Sequence, residues 1–127
     1  KIRPFVTVYG SGKINLNTAD PLILKSLALY RGGDSSTADS IVSKLINFRR
    51  GGGAFDKAEA ALITARLKEG TVMSPAEEAL LSGMLANSTI SSTCFRGMSF
   101  AKDANGGIKT ISFVYDREKR IRLYWQE

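Results

Sequence analysis

Residues 15–24 read Asn-Leu-Asn-Thr-Ala-Asp-Pro-Leu-Ile-Leu, a polar cluster running straight into an apolar one. Asn and Thr side chains bond nearby backbone groups and fix a chain as it leaves a turn. Thr18 is a good N-cap, and Pro21 is tolerated because a first-turn N–H has no helical partner. The stretch therefore predicts a helix running to about Tyr30, with Leu22, Leu24, Leu27 and Ala28 among its buried positions. Asn15, Asn17 and Thr18 are expected to be structural residues, bonding to backbone at the start of that helix.

More helices follow. Gly32-Gly33-Asp34 breaks the first, and Ser35 or Ser36 opens a second. Ala38, Ile41, Val42, Leu45 and Phe48 recur at 3–4 spacing and form one apolar stripe. Arg49-Arg50 in the last turn suits the helix dipole, and Gly51-Gly52-Gly53 ends the helix. Asp56 and Glu59 read as a capping box for a third helix that ends at Gly70. Ser74-Pro75-Ala76-Glu77 has the N-cap, first-turn Pro and N3 Glu of a fourth, closing near Asn87.

The texture changes on either side of this helical run. Pro4 to Tyr9 is β-branched and aromatic and reads as a short strand before Gly10-Ser11-Gly12. Asn87 to Thr93 is Ser/Thr-rich and reads as a linker. Beyond it, 94–102, 108–116 and 121–127 read as three strands, with Asp103-Ala-Asn-Gly-Gly107 and Asp116 to Arg120 as hairpin turns. The expected class is α+β, with residues 1–90 as a short strand plus a four-helix subdomain and residues 91–127 as an antiparallel sheet. Ile111, Phe113 and Tyr115 share a face of one strand, and Ile121, Leu123 and Trp125 share a face of the next. Side by side these rows would make an apolar surface prone to self-association.

Composition removes whole classes of chemistry. The 127 residues contain no His, so neither a Ser-His-Asp triad nor an imidazole metal site can be built within the chain. The single cysteine, Cys94, excludes an intrachain disulfide and a multi-cysteine zinc site. Hydrophobic residues at 43% and charged residues at 24% suit a folded globule. No apolar run approaches the ~20 residues of a membrane helix, and no signal peptide opens the chain. A start at Lys1 without Met reads as a fragment of a longer protein. Eighteen Lys and Arg against twelve Asp and Glu give +6, which fits either an anionic partner or a merely basic surface.

Several motifs fall short of the chemistry they suggest. Arg31-Gly32-Gly33-Asp34 between the first two helices echoes the hairpin of helix-hairpin-helix DNA-binding modules, but Asp34 puts a negative charge where a phosphate would sit. Specific duplex binding is therefore not expected. Arg49 to Gly53 lacks the Gly-Lys-Ser/Thr ending of a P-loop and follows a helix instead of preceding one. Asp103-Ala-Asn105-Gly echoes a calcium loop without its third oxygen donor or its bidentate Glu. Glu77 and Glu78 are adjacent on a helix, point roughly 100° apart and do not converge on one substrate atom. Arg117, Lys119, Arg120 and Arg122 read as a solvated turn and edge.

Two separated stretches resemble one family. Thr7-Val-Tyr-Gly-Ser-Gly-Lys-Ile-Asn-Leu-Asn-Thr-Ala19 is similar to a segment of general secretion pathway protein K, the large minor pseudopilin of type II secretion. Phe95 to Arg117 and Leu123-Tyr-Trp-Gln-Glu127 resemble that family's closing strands, with Gln126 where Arg is common. The resemblance implies a SAM-like or helix-hairpin-helix-like subdomain followed by strands of a pilin-like fold. It also implies a non-enzymatic subunit at the tip of the periplasmic pseudopilus, taking part in protein export. The implied partners are the I- and J-type minor pseudopilins and secretion substrates, with an N-terminal helix outside this sequence as inner-membrane anchor. Some members of the family bind calcium; no ligand set carries over to this sequence, and no cofactor is expected. The rival expectation is a helix-hairpin-helix nucleic-acid-binding module.

Overall fold

The computed structural model describes residues 10–126, so the strand read at residues 4–9 lies outside the described residues. The protein is α+β: four helices and a three-stranded antiparallel sheet, in two compact units.

The helical unit covers Gly12–Ser91. It opens with β1 (Ile14–Asn15) and continues through α1 (Pro21–Tyr30), α2 (Ser35–Arg50), α3 (Ala60–Gly70) and α4 (Pro75–Leu85) to β2 (Ser88–Thr89). Helix α1 is capped by Asp20, whose carboxylate accepts from the Leu22 N–H at 2.8 Å. Thr18, expected as the cap, is exposed and sits in the preceding turn, its N–H donating to the Asn15 carbonyl at 3.2 Å. The displacement follows from Pro21. A residue before proline is pushed into extended conformation, which Asp20 adopts at φ −61° and ψ 143°, so the helix cannot begin earlier.

The same logic of short acidic caps holds at α2. Asp34 accepts from the Thr37 N–H at 3.0 Å, and Ser35 and Ser36 are its first helical residues rather than the cap. The capping box expected from Asp56 and Glu59 does not form. Helix α3 begins at Ala60, which makes Glu59 itself the N-cap and leaves Asp56 too far upstream; no cap bond is made by the Glu59 side chain. At α4 the expected box is present in full: Ser74 Oγ accepts from the Glu77 N–H, and Glu77 Oε2 accepts from the Ser74 N–H at 2.6 Å.

The stretch expected as a linker contains β2, which pairs in parallel with β1, Ile14 against Ser88 and Asn15 against Thr89. Ile14 N–H donates to Asn87 and Leu16 N–H to Thr89, at 2.9 and 2.8 Å. Strands of two residues carry no periodicity, so the reading from sequence had no signal for them. The helices close over Leu16, Leu24, Ile41, Leu45, Ile63, Leu67, Leu81 and Met84, all fully buried. Burial of each such side chain stabilises the fold by about 1.5–3 kcal/mol. Leu22 departs from expectation: it lies on the outer side of α1 and is 54% exposed.

The strand unit takes in, among the described residues, 10–11 and 92–126, and contains β3 (Cys94–Lys102), β4 (Ile108–Asp116) and β5 (Ile121–Gln126) in the order β3-β4-β5. β3 and β4 pair without interruption from Cys94 opposite Asp116 to Lys102 opposite Ile108. Gly97 stands opposite Phe113 because the ring lies over it: a Cβ there would come within 2.2 Å of the ring's Cζ. The β4–β5 pairing breaks register between Val114 and Tyr115, leaving Leu123 as an inserted residue. This corrects the expected apolar row. Ile121 pairs with Asp116, three positions from Phe113, and so falls on the opposite face from Ile111, Phe113 and Tyr115.

Candidate functional site

The Asn15-Leu-Asn-Thr-Ala19 segment is where chemistry-bearing side chains and long-range contacts meet. Asn15 Oδ1 accepts from the Asn17 N–H at 2.9 Å, a local Asx-type turn of the kind expected. Asn17 does something else. Its Nδ2 donates to the Phe55 carbonyl at 2.8 Å and to the Ile90 carbonyl at 2.9 Å, and its Oδ1 accepts from the Phe55 N–H at 2.8 Å. One amide thus clasps three chain segments at the base of the helical unit, joining residues 38 and 73 positions apart. Asn17 does bond to backbone, as expected, but its partners are remote in sequence rather than at the start of its own helix. Leu16, between the two asparagines, is fully buried.

Around this clasp the aromatic packing is tight. Phe55 stacks on Phe48 with ring centroids 4.8 Å apart, and Gly53 lies against the Phe48 ring closely enough that a Cβ would reach 2.6 Å from it. Arg49 Nη1 donates to the Ala19 carbonyl at 2.7 Å, fastening the end of α2 to the same segment.

A second polar cluster joins α2 to α4. Glu77, 5% exposed, receives the Lys44 ammonium and the Ser40 hydroxyl, the latter at 2.6 Å. Lys44 also donates to the Val72 carbonyl at 2.8 Å. The Lys44 hydrogen bond, then those from Ser40 and the Ser74 N–H, hold the Glu77 carboxyl down at about 2, so it is charged across the physiological range. An ionised, fully partnered carboxylate is poorly suited to proton transfer near neutral pH and well suited to fixing two helices. Next to it, Lys44, Asn47, Phe48, Leu67 and Thr71 line a cleft of about 350 Å³ between the C-terminal ends of α2 and α3.

The α1–α2 connection is held by its own atoms. Gly32 has φ +91°, and a Cβ on Gly33 would come within 2.6 Å of the Leu80 side chain, so the glycine pair serves the turn and its packing on α4. Asp34 is bound by the Thr37 hydroxyl at 2.6 Å and the Thr37 N–H, which hold its carboxyl below the ordinary range. A persistent negative charge therefore caps the N-terminus of α2.

In the strand unit, Asp103 Oδ1 accepts from the Asn105 and Gly107 N–H groups, both at 2.8 Å, so this carboxylate braces the hairpin turn. Asp116 does the same for the second turn through the Glu118 and Lys119 N–H groups at 3.0 Å each. Arg117 lies 5.5 Å from the Phe95 ring centroid. Met98, Phe100 and Ile108 are 57%, 65% and 71% exposed on one face of β3 and β4. Among the described residues no group of three or more His, Cys, Asp or Glu could hold a metal ion, and no helix is long and apolar enough to cross a membrane.

The chain matches no family model, no curated protein and no solved structure.

Proposed function

We propose that this chain is a periplasmic portion of a K-type minor pseudopilin, a non-enzymatic tip subunit of the type II secretion pseudopilus that takes part in protein export. In this reading the helical unit is a SAM-like insertion and the β3–β5 sheet is the closing part of a pilin-like fold. The reading rests on the resemblance of the Thr7–Ala19 and Phe95–Glu127 stretches to that family. One structural observation supports it most. The recognisable polar residues Asn15 and Asn17 are engaged with the chain's own backbone, while large apolar side chains of the sheet stay exposed. That distribution suits a subunit that meets other proteins through surface rather than through a reactive centre.

The partners are the I- and J-type minor pseudopilins, together with secretion substrates; the membrane is reached only through an N-terminal helix outside this sequence. Calcium, known in that family, has no ligand set to carry over. The helix-hairpin-helix rival meets the Asp34 carboxylate at the N-terminus of α2, where it opposes an incoming phosphate. Mixing the chain with the periplasmic domains of I- and J-type pseudopilins and measuring the mass of the eluting species tests the proposal. A stable ternary species is expected, and separate elution at every concentration overturns it. Titration with duplex DNA near physiological salt covers the rival, since sequence-dependent affinity well below the ~10⁻⁶ M of non-specific binding would favour it.

A further inference from the structure

We infer that the outer edge of β3 is a self-association surface on which a second copy of this chain adds its own β3 antiparallel, about a two-fold axis through Met98. The inference stands apart from the secretion reading and rests on strand geometry alone.

Two hydrogen bonds fix which way the β3 backbone faces. Asp103 N–H donates to the Gly107 carbonyl at 3.0 Å, and the Thr93 carbonyl accepts from Arg117 N–H at 2.8 Å. Both lie on odd-numbered positions flanking β3, so its odd-numbered residues direct N–H and C=O toward β4. In an antiparallel ladder the alternate residues direct theirs away. Cys94, Arg96, Met98, Phe100 and Lys102 therefore present their backbone groups to the outer edge, where no described strand pairs. Seven of the nine β3 residues are exposed.

The two edges of the sheet are protected unequally. β5 carries the bulge at Leu123 and follows Lys119-Arg120, both devices that discourage another strand. β3 has no bulge: its register with β4 is continuous over nine pairs, it contains no proline, and the five residues between Arg96 and Lys102 carry no charge.

Charge and spacing select one register for self-pairing. Centred on Met98, the pairing engages all five outward residues. Met98 meets its own copy, Arg96 meets Phe100 of the second chain, and Cys94 meets Lys102. Opposed Arg and Phe on one face make a cross-strand cation–π pair, and no like charges stand directly opposite. A centre at Arg96 would set two guanidinium groups against each other. A centre at Ser99 would set Arg96 against Lys102, and a centre at Gly97 would leave Lys102, or one at Phe100 Cys94 and Arg96, without strand partners.

Light scattering on the intact chain over a ~100-fold concentration range should show mass rising toward twice 13.8 kDa. Met98→Pro removes an outward N–H and nothing from the β3–β4 ladder, a placement proline tolerates on an edge. It should be monomeric while the amides of Ser99 and Ile111 keep their protection from exchange. In a Cys94→Ser background, Met98→Cys should oxidise to a covalent dimer. Arg96→Cys and Phe100→Cys should cross-link when mixed and not when alone. A strictly monomeric wild type, a Met98→Pro variant that still dimerises with its hairpin intact, or cross-linking by Phe100→Cys alone would each overturn the proposal.

Discussion

Replacing Asn17 by Ala deletes three hydrogen bonds at once: two to the Phe55 backbone and one to the Ile90 carbonyl. Each is worth about 0.5–1.5 kcal/mol net, and Asn17 is half-buried, so water can reach part of the gap; a loss of about 2–3 kcal/mol is expected. Asn17→Asp sharpens the test. It keeps an acceptor for the Phe55 N–H but sets a carboxylate against two carbonyl oxygens at 2.8 and 2.9 Å. At neutral pH it should therefore be at least as damaging as Ala. It should recover in part on acidification, when a protonated carboxyl can donate to one of those carbonyls. Urea unfolding followed by helical ellipticity measures both variants, because the clasp belongs to the helical unit. An Asn17→Ala midpoint displaced by less than the equivalent of about 0.5 kcal/mol would refute the reasoning, since surface changes without a partner fall in that range.

The neighbouring cap gives a paired expectation: Asp20→Ala should cost about 1 kcal/mol and Thr18→Ala under about 0.5, reversing the order that the sequence alone suggests. Thermal melts of the two variants decide it. Glu77, held at about 2 against an ordinary 4.5, binds its proton more weakly folded than unfolded. Its contribution is therefore complete above about 4.5 and drains away as pH falls toward about 2, and Glu77→Gln should flatten that acid limb of stability against pH. In the sheet, Gly97→Val forces the Phe113 ring off the strand, and a loss of about 1–3 kcal/mol should appear as faster amide exchange across β3 and β4.

The helices were legible because their signals are local. The 3–4 spacing of Ala38, Ile41, Val42 and Leu45, with glycines after Arg50, gave α2 nearly to the residue, and Ser74-Pro75-Ala-Glu77 gave α4 its capping box. The bounds of β3 and β4 match the reading as well, since Asn105-Gly106 marks the turn between them. What escaped depends on distance or on competition. Asn17 reaches Phe55 and Ile90 across the unit, and no local pattern records that. Thr18 and Asp20 are both good caps, and the steric demand of Pro21 decides between them. The bulge at Leu123 interrupts an alternation that otherwise runs cleanly through Ile121 and Leu123, so periodicity alone put Ile121 on the wrong face.

The short parallel pairing of β1 with β2 has an architectural consequence. Ile14 and Ser88 are neighbours although more than seventy residues of chain separate them, so the helical unit begins and ends at one doorway. Adjacent strands lie about 4.8 Å apart and each residue advances about 3.3 Å, so in this parallel pair the ends of the unit at Gly12 and Ser91 lie within roughly 17 Å. A peptide of about five or six residues can bridge that distance. The helical unit is thus a removable cassette. It could be deleted, lengthened or exchanged for another fold with close termini while residues 10–11 and 92–126 kept their connection. Because loop-closure entropy grows only slowly with length, a host chain would tolerate very different inserts at this point. The clasp made by Asn17 would then be the latch of the insert, belonging to the module and moving with it.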